Sequence, residues 1–249
     1  MLVVLRFDSE LASLSARSFM ARVLAGRIHV SMLLTGYDNR FGHDRTEGFV
    51  DYCRYGRELG MEVCCGKALP VPGDVAGGGE DPVQGGATAS SSFIRRLLSE
   101  GRVGEAALCL GRPYELCGRV VRGRQVGRQI GFPTANIEVP DSQKLIPAGG
   151  VYAVMVACDD GSCHHGMTNI GTRPTFHGRR QTLETHIFNY IGDVYGQSLR
   201  LMFIDRLRDE RPFDTAGALA AQLERDKENA ERILENFEFH IRYTSNYST

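Results

Sequence analysis

The sequence predicts an α+β chain in two parts, a partial α/β module with a parallel sheet and then a small β-barrel closed by one helix. Three observations predict it. Up to about Arg112, short apolar runs alternate with helical segments, the pattern of strands joined by helical crossovers in a parallel sheet. Beyond Pro113, strand-like runs rich in β-branched and aromatic residues follow one another without intervening helices, which suggests a barrel. Near the end, Leu219, Leu223, Ala230, Ile233, Leu234 and Phe237 form one helical stripe after Asp214-Thr215. The domains are therefore expected at 1–112 and 113–249.

The elements follow in order. Leu2–Leu5 reads as a first strand, Ser15–Ala25 as a helix stopped by Gly26, and Ile28–Thr35 as a second strand. Thr46–Leu59 is a second helix ended by Gly60, and Met61–Cys65 a third strand. Pro70–Thr88 is rich in Gly and Pro, poor in large apolar residues, and reads as a loop. Ser90 caps a helix over Phe93–Ser99, and Val103–Leu110 is a further helix ended by Gly111 and Pro113. Val151–Val156, Leu183–Tyr190 and Leu199–Ile204 read as barrel strands, with Glu184 and His186 on one face by the period of two. His164-His165 reads as a pair of loop residues.

Bulk properties narrow the function. A net charge of −1 over 249 residues gives no general reason to bind nucleic acid or an anionic membrane, so anion binding must be local. No apolar run approaches the length of a membrane span. The N-terminus lacks the pattern of a signal peptide. The seven cysteines are scattered and include no C-x-x-C pair, which fits reduced thiols in the cytoplasm.

The densest chemistry lies between Gly118 and Asn136. Gly123, Gly127 and Gly131 alternate with arginines, Arg128 among them, and the run closes on Gly-Phe-Pro-Thr-Ala-Asn. Glycine lets backbone N–H groups approach a ligand, arginine suits phosphate, and the oxygens of Thr134 and Asn136 are hard donors of the kind Mg²⁺ accepts. From the residues alone this is either a phosphate-and-metal loop or a basic surface hairpin. It matches neither common glycine-rich nucleotide motif.

The same run resembles the signature of riboflavin kinases, and three further blocks follow in that family's order. They are Pro147–Val154, then Asn169–Phe176 with Glu184–Ile187, and finally Tyr195-Gly196 with Leu207–Glu210. The resemblance implies an antiparallel barrel of the riboflavin kinase type and transfer of the ATP γ-phosphate to the 5′-hydroxyl of riboflavin, giving FMN. It implies that Thr134 and Asn136 hold Mg²⁺, that Gly123, Gly127, Arg128 and Gly131 cover ATP, and that Glu184 is the general base. Arg208 and Glu210 would belong to a loop that orders around the flavin. For His186 a packing or hydrogen-bonding role is expected.

The first part resembles the later portion of the nucleotidyltransferase-like FMN adenylyltransferase module of bifunctional FAD synthetases. Gly36, Asp38, Phe41 and Gly42 match its Gly-x-Asp-x-x-Phe-Gly loop, with Asn39 where an aromatic residue is common. Ser90, Ser91, Ser92 and Arg95 match its Ser-Ser-Thr-x-Ile-Arg motif, where a helix N-terminus and an arginine converge on triphosphate. No His precedes His29, and the module's H-x-G-H motif is absent. The chain is thus expected to open partway into that module, as a natural short form or as a fragment. FAD synthesis would then require the missing part from elsewhere, and the incomplete module would invite self-association. A non-catalytic flavin-binding regulator is the rival from another class.

Overall fold

The computed structural model describes residues 2–71, 88–123, 127, 130–175 and 178–237, without side chains at 173–175 and 178–180. It divides into two compact units, Met1–Thr88 and Ala89–Thr249.

In the first unit, Asp8 caps a single turn, α1 (Ser9–Ala12), and Ser15 caps α2 (Ala16–Phe19), which runs into a π-helical stretch over Met20–Ala25. The widening shows in i→i−5 bonds from Gly26 N–H to Ala21 O and from Ile28 N–H to Val23 O, both 3.0 Å. The second expected strand is shorter than predicted. His29 takes φ 57 and breaks the extended chain, so β1 covers only Met32–Thr35. The helix α3 (Phe49–Leu59) starts later than expected because Asp51 accepts from Gly48 N–H at 3.1 Å and caps it there. β1 pairs in parallel with β2 (Glu62–Cys65). Leu2–Leu5 is not a strand: it has no hydrogen-bonded strand partner among the described residues and stays exposed. The core gathers Ala16, Met20, Tyr52 and Met61. Most of the expected Pro70–Thr88 loop lies outside the described residues; its ends pair as an isolated bridge between Pro70 and Thr88.

The second unit opens with α4 (Ser91–Ser99), capped by Ser90, and α5 (Val103–Leu110). Both helices belong to this unit rather than to the one before it. Leu97, Val103 and Ala106 are fully buried, and Leu98 O accepts from Ala148 N–H at 3.0 Å. Six strands follow: β3 (Tyr114–Val121), β4 (Ala135–Glu138), β5 (Gly150–Ala157), β6 (Cys163–Thr175), β7 (Gly178–Ile187) and β8 (Ser198–Arg208). They close into an antiparallel barrel in the order β3-β4-β7-β6-β5-β8, the last strand returning to the first. His164 and His165 sit on β6, not in a loop. Their carbonyls and amides belong to the ladder with β5, and the His164 ring lies edge-on to Tyr190.

Leu116, Ile170, Leu199, Leu201 and Phe203 are fully buried in the barrel unit. Thr168 and Thr185, also fully buried, hydrogen-bond each other at 2.8 Å, which spares two hydroxyls an unpaired burial. The last helix, α6 (Ala216–Glu235), is capped by Thr215 and packs on β5, β6 and β8. Its Ala230 and Leu234 cluster with Ala153, Met167, Phe188 and Ile204.

Candidate active site

Cross-strand register assembles the site. Asn136 on β4 stands opposite Glu184 on β7, Glu184 opposite Asn169 on β6, Asn169 opposite Val151 on β5, and Val151 opposite Arg208 on β8. Directly paired residues share a face, so the polar residues of this row gather on one side of the wall. Thr134 precedes β4 by one residue and stands two positions before Asn136, on the same side by the strand period.

Two cavities open there, and Thr134 lines both. One, of about 290 Å³, is lined by Thr134, Glu184, Asn169, Arg208, Glu210 and Gly127, and between them by the apolar Phe132, Val151, Met167, Phe213, Leu219 and Leu223. The other, of about 590 Å³, lies beside Thr134 and Pro133 and is walled by Val120, Ile187, Tyr190, Asp193 and Tyr195. Both volumes fall within or near the range of small-molecule sites.

The segment before β4 is shaped around these residues. Phe132 N–H and Ile130 N–H both return to Gly127 O, at 2.8 and 3.2 Å, and Gly131 turns the chain with φ 84. Gly123 lies against the Asn136 amide so closely that a Cβ would come within 2.0 Å of Nδ2. Only glycine permits that approach. Arg128 lies outside the described residues.

His186 shares the face of Glu184 and lines the smaller cavity, with Nδ1 2.8 Å from Pro133 O. Its ring meets Phe132 and Phe188. Burial holds its pKa below the ordinary 6.5, the Pro133 contact offsetting this only in part. A neutral ring that donates Nδ1–H to a carbonyl is a packing and hydrogen-bonding group, as expected from the sequence. Glu210 lies over Gly171, where a Cβ would stand 2.5 Å from its Oε1.

Two participants carry no role in the sequence reading. Asn169 gains its place only through the register of β6 between β5 and β7. Asp226, 2 % exposed on α6, grips Arg208 with contacts of 2.7–3.0 Å.

None of the remaining predicted residues lines these two cavities. Phe41 is packed in the first unit, stacked on Tyr52 at 4.2 Å, and its N–H donates to Tyr52 Oη at 3.0 Å. Gly42, with φ 100, directs the chain so that His43 N–H reaches Leu14 O. Gly36 O accepts from Asn39 N–H, and Asp38 is exposed. Ser90 spends its hydroxyl on Phe93 N–H at 3.2 Å, while Ser91, Ser92 and Arg95 are exposed at the start of α4. The Gly36–Gly42 loop and the Ser90–Arg95 helix start belong to different units.

Comparison with known proteins bears on both parts. The family described as Riboflavin kinase matches residues 110–234, and that described as FAD synthetase matches residues 1–72. The bifunctional riboflavin kinase/FMN adenylyltransferase of Escherichia coli K12 is 35 % identical over 89 % of this chain and 66 % of its own length. That of Bacillus subtilis 168 is 32 % identical over 94 % of this chain and 70 % of its own. The chain thus spans about two thirds of the curated relatives it matches. A crystal structure named macrolide-efflux protein from Streptococcus pneumoniae superposes with a TM-score of 0.75 at 32 % identity, covering 90 % of this chain and 67 % of that one. Among the described residues no helix is long and apolar enough to cross a membrane.

Proposed function

This chain belongs to the bifunctional riboflavin kinase/FMN adenylyltransferase family, and from that premise we propose that its part from about residue 113 onward phosphorylates riboflavin to FMN with ATP. The observation that carries the reading is the pair of cavities meeting at Thr134, with Glu184 facing the smaller one. The smaller cavity, apolar between its few polar groups, suits a flat isoalloxazine ring. The larger, with Tyr190 and Tyr195 on its wall, suits a nucleotide whose phosphates reach Thr134.

In this arrangement Glu184 accepts the proton of the riboflavin 5′-hydroxyl as its oxygen bonds to the γ-phosphorus and ADP leaves. Thr134 and Asn136 present neutral oxygens beside the Glu184 carboxylate, a donor set that fits Mg²⁺. They would hold the ion, which supplies charge neutralisation at the phosphates. The family resemblance assigns Gly123, Gly127, Arg128 and Gly131 to covering ATP; Gly127 lines the smaller cavity beside Thr134, where the two cavities meet, and Arg208 and Glu210 border the flavin there. Replacing Glu184 by Gln tests the reading. Turnover is expected to fall by about 10²–10⁴ with nucleotide affinity nearly unchanged, because only the proton acceptor is lost. Parent-like turnover would remove Glu184 from this role.

The match of residues 1–72 to FAD synthetase favours a second reading for residues up to about 112. There the Gly36–Gly42 loop is read as a remnant of adenylyl-transfer machinery, and the Ser90–Arg95 helix start as one side of a triphosphate site that acts only when its histidine side is supplied. The same proposal includes self-association through the first unit, where Met32 and Leu34 of the two-stranded sheet are 55 % and 69 % exposed. All seven cysteines are free thiols, which supports a cytoplasmic setting.

A further inference from the structure

Beyond the barrel ladder, the wall of the smaller cavity around Arg208 is also held by the C-terminal helix. Arg208, the last residue of β8, lines that cavity together with Glu210 and Arg211. Its guanidinium turns to α6, where Nε donates to Asp226 Oδ1 and Oδ2 at 3.0 and 2.9 Å and Nη2 donates to Oδ2 at 2.7 Å. One helical turn earlier, Gln222 donates to Asp226 Oδ1 at 2.7 Å and accepts from Arg211. Both guanidiniums also lie over the Phe213 ring, at 5.7 and 5.0 Å. Two residues four apart on one helix face therefore hold the arginines on either side of Glu210.

A carboxylate 2 % exposed is kept only where its charge and lone pairs are met, and here a guanidinium and an amide meet them. The planar fork fixes direction as well as distance, so the place of Asp226 sets the plane of Arg208. The remaining nitrogen, Nη1, donates to Asp209 O at 2.9 Å, which pins the backbone leading into Glu210. Asp226 itself does not line the cavity; it acts through Arg208. Resting on the kinase reading, we infer that Asp226, backed by Gln222, is a positioning residue for the flavin substrate: it holds Arg208 and the 209–213 segment in the shape that admits riboflavin. A pair that merely stabilised the fold would affect both substrates through the folded fraction. Asp226 and Gln222 line neither cavity, and Arg208, which they hold, lines the smaller cavity but not the larger, so their loss acts chiefly on riboflavin.

The test uses the whole chain and the variants Asp226→Asn and Gln222→Met. Initial rates are varied in riboflavin and in Mg-ATP, riboflavin binding is titrated by its own fluorescence, and thermal unfolding is followed alongside. Asp226→Asn is expected to raise the riboflavin KM and Kd by about tenfold or more, and Gln222→Met by about threefold, with the ATP KM changed less than about twofold. Adding Arg208→Met to Asp226→Asn should cost riboflavin less than about another twofold, because the two residues act as a unit. A folded Asp226→Asn with parent-like riboflavin affinity, or with equal losses for both substrates, overturns the inference. If Asp226→Asn does not fold, Gln222→Met decides, and unchanged riboflavin affinity there overturns it. A parent chain that neither binds riboflavin nor makes FMN overturns the kinase reading and this inference with it.

Discussion

The barrel of the second unit and the two-stranded sheet of the first differ in how many strand edges they leave open. Each barrel strand pairs on both sides, and the fully buried Leu116, Leu201 and Phe203 belong to its strands. Among the described residues of the first unit β1 and β2 pair with each other alone, and the apolar Met32 and Leu34 stay exposed. Closure leaves no unpaired N–H or C=O edge to solvate, and it sums many small contacts into one core. The lesson concerns placement of chemistry. Residues drawn from five strands, Asn136, Glu184, Asn169, Val151 and Arg208, are brought into one row by the closed ladder, with a bulge beside Val151 where β5 meets β8. A two-strand sheet offers no such frame.

Core truncation breaks this comparison most forcefully. Phe203→Ala in the barrel is expected to cost about 3–5 kcal/mol, whereas Leu34→Ser stays within about 0.5 kcal/mol. Chemical denaturation measures both. If chains associate through the first unit, Leu34→Ser also shifts sedimentation toward monomer. A Leu34→Ser penalty as large as that of Phe203→Ala would show that the first unit's sheet is as deeply packed as the barrel.

The next effect sharpens the contrast in function. Thr134→Ala and Asn136→Ala are each expected to weaken Mg-ATP binding by about tenfold, equivalent to about 1.4 kcal/mol, with riboflavin binding little changed. Asp38→Ala, in the first unit, should leave FMN formation unaltered. Calorimetric titration of the three variants checks this, and parent-like Mg-ATP binding by both barrel variants would detach the pair from the metal.

Much of this was legible in the sequence. The β-branched runs gave strands, alternation put Glu184 and His186 on one face, and the Ser90 and Thr215 caps marked helix starts. Other features are non-local and left no sequence mark. The pairing of Glu184 with Asn169 depends on β6 lying between β5 and β7. Asp226 carries no role in the sequence until the fold brings Arg208 to it. Leu2–Leu5 has strand composition without a strand to pair with among the described residues, and the π-helical turn at Met20–Ala25 is a matter of local packing that periodicity does not register. His164-His165 sits in the ladder that β6 forms with β5 from Cys163 onward, a pairing that the turn residues around Gly161 do not reveal.

The smallest expected effect is on pH dependence. The folded pKa of His186 lies below its unfolded 6.5, so the contribution of the neutral ring is intact above about 6.5 and is lost as pH falls through the folded value. Nearby, Lys227 pushes the pKa further down and Glu224 pulls it up. The thermal midpoint should therefore drop as pH falls below 6.5, and His186→Gln should flatten that slope. An unchanged slope in the variant would assign the acid sensitivity elsewhere.

The most direct measurement incubates the purified 249-residue chain with riboflavin and Mg-ATP and separates the flavin products by chromatography. Steady formation of FMN and no useful rate of FAD are expected, on the proposal that the Ser90–Arg95 helix start gives only one side of an adenylyl-transfer site whose H-x-G-H side is not in this sequence. Failure to form FMN would contradict the kinase assignment. Steady FAD production, free of any longer enzyme, would contradict the division of activity between the two parts.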